Sequence, residues 1–275
     1  MRLSFLFSLL LIIFSGALAW AQGGGQQLTS GTVSLSSGGI GFDVMSIRPS
    51  KAANENSTFI NTADGFEATN VTIPILIQDA FRVRLDLIQK LPAWAAAKRF
   101  DLKGKVLLAG DQKSRLSANE RAQRLAASLQ ERFSLKVHSE SQVMPVYNLD
   151  VGSHGTRIMQ HGHGTVPLPP GVIIGKGVIS NQGDIQVIDM PLSAFTDALS
   201  GQIGRSVIDR TGLTGNYDLM IKWSPRDESP VESVNTADAP DIFTAVREQL
   251  GLELHPGRGP VQVLVVDNVT MPSEN

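Results

Sequence analysis

The sequence predicts an α+β chain built as two tandem repeat modules, each a small mixed sheet with helices packed on one face. Three observations carry this. Helix and strand signals alternate from Phe42 onward. The stretch Asp184 to Asp218 reads as strand, capped helix, short strand, glycine-punctuated turn and longer strand. LAASLQERFSLKVH (Leu125 to His138) lies over IFTAVREQLGLELH (Ile242 to His255) without a gap, sharing Glu131/Glu248, Leu135/Leu252 and His138/His255.

Residues 1–21 read as a signal peptide. Arg2 supplies the positive start, Leu3 to Phe14 is an uncharged apolar core, and Ala19-Trp20-Ala21 is a small-x-small cleavage site that leaves Gln22 first. An uncleaved anchor is the alternative, since Leu3 to Ala21 can just cross a bilayer. After signal removal no later segment is apolar and long enough to span a membrane. Residues 22–41, rich in glycine and serine, are expected to be a flexible leader.

The first module is expected over residues 42–151. Phe42 to Ile47 alternates as a strand, and Gly65 to Ala68 reads as another. Asn70 is placed at the entry of a helix whose Ile73, Leu76, Ile77 and Ala80 share a face. A short helix is expected over Leu91 to Lys98 and a strand over Phe100 to Val106. Ser117 and Glu120 form a capping box for a helix running to about Arg132. Phe133 to His138 and Val146 to Val151 read as the two arms of a hairpin.

Residues 152–183 form a glycine-, proline- and histidine-rich connector. Val166 to Gly171 is expected to be extended and polyproline-like, with strands at Val172 to Ile174 and Val178 to Ser180. The second module is expected over residues 184–275. Asp189 is placed as a helix cap with Pro191 in the first turn, ahead of the stripe Leu192, Phe195 and Leu199. Ser206 to Ile208 and Tyr217 to Trp223 are strands, and Ser224 to Ala239 is an acidic loop. A last helix from about Asp241 ends at Gly251, followed by a second hairpin of Leu252 to His255 with Val261 to Asp267. The modules then correspond: Asn70 to Asp189, Phe100-Asp101-Leu102 to Tyr217-Asp218-Leu219, Lys105 to Lys222.

Composition excludes several chemistries. With 42% hydrophobic residues, 18% charged and a formal net charge of −2, nothing marks a nucleic-acid surface. The absence of cysteine excludes disulfides, thiolate metal sites and a cysteine nucleophile. No nucleophile elbow, zinc-protease helix, phosphate loop or dinucleotide fingerprint is present.

Candidate chemistry is sparse. His154, His161 and His163 fall within ten residues in the connector, a spacing with weak metal-ligating character in what also reads as a solvated loop. Asp209-Arg210-Thr211-Gly212 is not an aspartic-protease loop, because Arg210 separates the aspartate from the threonine. It reads as a structural turn: Asp209 caps it, Arg210 or Arg205 pairs with a carboxylate, and Gly212, Gly215 and Asp218 complete it. His138 and His255 are expected to face outward from matching strands. Trp94, Trp223, Tyr147 and Tyr217 fit a core or a sugar- or peptide-lined site.

Several blocks carry a resemblance: Phe42-Asp43-Val44 with Ser46 to Ser50, Ala68 to Thr72, and Pro92-Ala93-Trp94 before Arg99-Phe100-Asp101. Glu131 to His138, Val207 to Asp218 and Pro272 to Asn275 extend it. The chain resembles a soil-associated family of uncharacterised exported bacterial proteins built on a domain of unknown function. That implies a periplasmic or secreted location and no established catalytic residue. Related domains attached to membrane-bound metallopeptidase-like sensors imply a sensing or binding role, while the peptidase motif itself is absent. The repeat unit also resembles the short N-terminal domains of secretins and TonB-dependent receptors, which bind partner proteins.

The expectation is a non-enzymatic binding or sensing module of the cell envelope, without cofactor, recognising a protein or envelope component. An envelope hydrolase using the His154/His161/His163 loop with a metal is the alternative.

Overall fold

The computed structural model describes residues 41–52, 56–107, 116–162, 176–224 and 240–272. The signal peptide, all but the last residue of the leader, the strand at Val172 to Ile174, the polyproline-like stretch and nearly all of the acidic loop lie outside them.

The described chain is a mixed α/β structure. The first part runs β1 (Val44–Pro49), β2 (Thr58–Asn61), β3 (Gly65–Thr72), α1 (Ile73–Phe81), β4 (Ile88–Gln89), α2 (Ala93–Ala97), β5 (Arg99–Lys105), α3 (Ala118–Phe133) and β6 (Lys136–Val151). The second runs β7 (Met159–Gln160), β8 (Gly177–Asn181), β9 (Asp184–Pro191), α4 (Leu192–Ile203), β10 (Val207–Asp209), β11 (Asn216–Lys222), α5 (Ile242–Ala245) and β12 (Leu252–Asn268). A π-helical turn, Val246–Leu250, continues α5 to a left-handed cap at Gly251.

These strands form three four-stranded sheets, in the orders β1-β5-β3-β2, β10-β6-β12-β4 and β7-β11-β9-β8. The middle sheet takes strands from both ends of the chain. β6 and β12 pair antiparallel from Leu252 opposite Val151 to Asn268 opposite Lys136. β10 joins β6 in parallel, and β4 joins β12 in parallel.

Two hairpins expected from sequence are therefore replaced by two unbroken strands. Pro145, Gly257, Gly259 and Pro260 look like turn residues, yet they lie inside the ladder, with Pro145 opposite Arg258 and Pro260 opposite Val143. The two glycines lie close under the tips of neighbouring side chains. A Cβ on Gly259 would come within 2.5 Å of Ile208 Cδ1, and one on Gly257 within 2.6 Å of Asn148 Nδ2.

The helices follow the apolar stripes. Ile73, Leu76, Ile77 and Ala80 are buried on α1, and Leu192, Phe195 and Leu199 on α4. α3 begins with the full capping box: Glu120 N–H donates to Ser117 Oγ at 3.2 Å, and Ser117 N–H to Glu120 Oε2 at 2.8 Å. Both proposed caps farther upstream are corrected. Thr72 and Pro191 occupy the N-cap positions of α1 and α4, whereas Asn70 and Asp189 remain in the preceding strands with φ of 58° and 49°.

Two large cores result, each closed with help from the other part of the chain. One packs Phe66, Leu76, Leu102, Leu129 and Phe133 with Leu264 and Val266 of β12. The other packs Val187, Phe195, Leu219 and Leu252 with Leu149 of β6. A third cluster, Leu87, Val146, Val261, Val263 and Val265, lies along the middle sheet. Each such side chain contributes roughly 1.5–3 kcal/mol when withdrawn from water, so neither large core is complete without the shared strands.

Candidate functional site

The Asp184 to Asp218 stretch holds β9 and the start of β11, the two inner strands of the third sheet, and the connector meets it where β7 pairs with β11. Asp218 is buried at 8% exposure. Its carboxylate accepts the backbone N–H of Asp189 at 2.9 Å and lies 2.8 Å from His161 Nδ1. Asp189 in turn accepts from Asn216 Nδ2 at 2.7 Å and faces Lys176 Nζ at 3.6 Å. The Asn216 bond, reinforced by Lys176 and His161, holds the Asp189 carboxyl below its usual range.

The pairing of β7 with β11 brings His161 here, with its N–H donating to Asn216 O at 2.8 Å. His154 stands apart from that pair: its Nδ1 lies 3.1 Å from the Ser153 hydroxyl. His163 lies outside the described residues. Among the described residues no group of three histidine, aspartate or glutamate side chains is placed to hold a metal ion.

The turn behaves as a structural device. Asp209 Oδ1 accepts the Thr211 N–H at 2.8 Å and its hydroxyl at 2.7 Å, and Tyr217 Oη donates to Thr214 O. Gly212 and Gly215 adopt φ of 70° and 98°. The arginines differ from expectation. Arg210 engages through its backbone N–H, which donates to Leu149 O, and the Arg205 guanidinium stacks 5.0 Å over the Tyr147 ring. Among the described residues neither has a carboxylate within ion-pair distance. Tyr147 also meets Phe243 edge-on, with ring centroids 5.1 Å apart.

A second constellation lies at the exit of α1. Helix α1 ends in Arg82, whose φ of 53° turns the chain out of the helix. Arg84 follows two residues later, and Arg121 comes from the first turns of α3. Together with Asp79, Ile75 and Val83, and with Phe59 and Asn61 from β2, they line an open cleft of about 620 Å³. Arg84 is committed to Asp86 through Nε to Oδ1 at 2.9 Å and Nη2 to Oδ2 at 2.7 Å, which holds the Asp86 carboxyl below its usual range. Among the described residues no carboxylate lies within ion-pair distance of Arg82 or Arg121. Burial pushes the Asp79 carboxyl up, against the pull of those two arginines.

Sequence reasoning did not find this cleft. Its arginines come from two segments separated by a helix and two strands, so no charge run marks them. The available signal was Phe81-Arg82-Val83-Arg84, two arginines set directly behind an apolar helical stripe. The other aromatic and histidine candidates lie away from this cleft or pack in the cores. Trp223 and Tyr217 are buried in the second core, Trp94 packs on the first, and His138 lies 2.9 Å from the Asp267 carboxylate on the surface of the middle sheet. His255 is exposed beside Glu253 at 3.3 Å.

Among the described residues no helix is long and apolar enough to cross a membrane. No curated protein and no solved structure matches the chain. A family model does match, over residues 74–269, from within α1 to just beyond β12; it takes in the second and third sheets and, of the first sheet, β5. The chain belongs to the family described as a protein of unknown function, DUF3738.

Proposed function

We propose that the chain is an exported, non-catalytic binding module of the cell envelope that recognises a protein or envelope component. The observation that carries this reading is the lining of the cleft beside β2: arginine, apolar and amide side chains with, among the described residues, Asp79 as the lone carboxylate. That set offers charge complementarity and apolar contact, and it holds neither a nucleophile nor a base positioned beside one. The signal peptide at residues 1–21, the leader at 22–41 and the resemblance to exported soil-bacterial proteins supply the location.

The same proposal includes two copies of one unit, residues 42–151 and 184–275, joined by the connector 152–183 and similar to the partner-binding domains of secretins. Strand orders support it. Exchanging β4 with β10 and β6 with β12 returns the middle sheet reversed, and the same correspondence maps β1-β5-β3-β2 onto β7-β11-β9-β8, with the connector supplying β7 and β8 in the places of β1 and β2. Left-handed residues support it too: Asn70 and Asp189 enter the first helix of each unit, and Ser134 and Gly251 close the last. The copies then exchange terminal strands and do not stand as separate beads.

The test is retention of an envelope component on immobilised mature protein, identification by mass spectrometry and re-binding of the purified component at micromolar concentration. Turnover of an envelope polymer, lost in a His154/His161/His163 triple alanine variant and accompanied by stoichiometric metal, would replace this reading with the hydrolase.

A further inference from the structure

The cleft lies against a sheet edge. β2 is the outer strand of its sheet and pairs with β3 alone, so one row of its backbone N–H and C=O groups has no strand partner among the described residues. Phe59 and Asn61, two apart on β2, face the cleft, while Ile60 between them is 58% exposed. Phe59 stacks on buried Phe66 with centroids 5.1 Å apart and planes 2° from parallel, which anchors the strand. Along the cleft side stand Arg82 and Arg121, neither with a carboxylate within ion-pair distance among the described residues. Among the described lining residues Arg82 and Arg121 stand with Asp79, while Arg84 is paired with Asp86.

We propose that this site takes an extended acidic peptide, added as a fifth strand at the free edge of β2, with carboxylate side chains at alternate positions reaching Arg82 and Arg121. It rests on the binding reading above and names its ligand. A strand laid about 4.8 Å beyond β2 repeats the same alternation, so every second side chain turns into the cleft. Guanidinium groups suit carboxylates in such a place because they offer a planar pair of donors and remain charged. Apolar residues at the intervening positions would lie beside exposed Ile60. Asp79 is the opposing element, a carboxylate that any acidic ligand must approach.

The experiment is fluorescence anisotropy with a labelled peptide of alternating valine and glutamate. Two controls accompany it: the same peptide with glutamine for glutamate, and one N-methylated on the edge that would face β2. The protein is compared with Arg82→Asn, Arg121→Gln and Asp79→Asn variants. Asparagine tolerates the left-handed conformation of residue 82, and thermal melts report whether each variant folds. Saturable binding is expected, weakened about tenfold or more by either arginine change and by either control peptide, and tightened by Asp79→Asn. Equal binding of the glutamine or N-methylated peptide, binding of inorganic phosphate alone, or no binding at millimolar peptide would overturn the proposal. If an envelope component is still retained, only this ligand assignment falls; if retention fails as well, the binding reading falls with it.

Discussion

The backbone N–H of Asn70 donates to the Asp101 carboxylate at 2.8 Å, across two neighbouring strands. Asp189 makes the same bond to Asp218 at 2.9 Å, and in both cases the donor residue has a positive φ. The carboxylate thus satisfies an amide that the strand's bend takes out of its ladder. Asp101→Ala and Asp218→Ala are each expected to cost about 1–3 kcal/mol, because a largely buried N–H is left unpaired. Urea midpoints check this; a cost below a few tenths of a kcal/mol would make the carboxylates dispensable.

Two glycine-to-alanine changes should move stability in opposite directions. A Cβ on Gly65 would meet the Gly104 carbonyl oxygen, which belongs to the paired strand and has no room to yield. Gly65→Ala is expected to destabilise by about 1–3 kcal/mol or more. Gly201 lies inside α4 with nothing within 4 Å of the added atom, so Gly201→Ala should stabilise by about 0.5–1 kcal/mol. Thermal melts of the pair distinguish steric from conformational control.

Asp79 gives a pH signature. Its carboxyl is raised above the usual value by burial, so the folded state binds this proton more tightly than the unfolded chain. Stability from this group is then greatest below the unfolded pKa, near 4, and declines as pH rises through the folded value. Asp79→Asn should therefore raise the urea midpoint at about pH 7 and leave it nearly unchanged at about pH 3. An equal shift at both pH values would point to packing alone.

Ser117→Ala removes the Oγ arm of the box that starts α3, leaving the Glu120 carboxylate on the backbone N–H of residue 117, and is expected to cost about 0.5–2 kcal/mol. Ser117→Gly should cost only a few tenths. Denaturant titration of the two variants checks that ordering.

Local devices were legible in the sequence. The capping box of α3 needs only Ser117 and Glu120, three residues apart, and the apolar stripes of α1 and α4 need only their own spacing. Features decided at a distance were not. Asn70 and Asp189 resemble helix caps, but carboxylates 31 and 29 residues away hold them in strands. Pro145 and Gly257 signal turns until each is seen opposite the other long strand, more than a hundred residues off in the chain. The arginine cleft depends on α1 ending against α3, a packing event with no local signature.

The ladder between Lys136–Val151 and Leu252–Asn268 also sets an order of events during synthesis. The core around Phe66, Leu129 and Phe133 is closed by Leu264 and Val266 of β12, made long after the strands they cover. β12 must therefore exist before the first core is closed. Pairing over such a separation is slow and leaves apolar surface open meanwhile. Until β12 is made, the apolar surface that Leu264 and Val266 cover stays open to water.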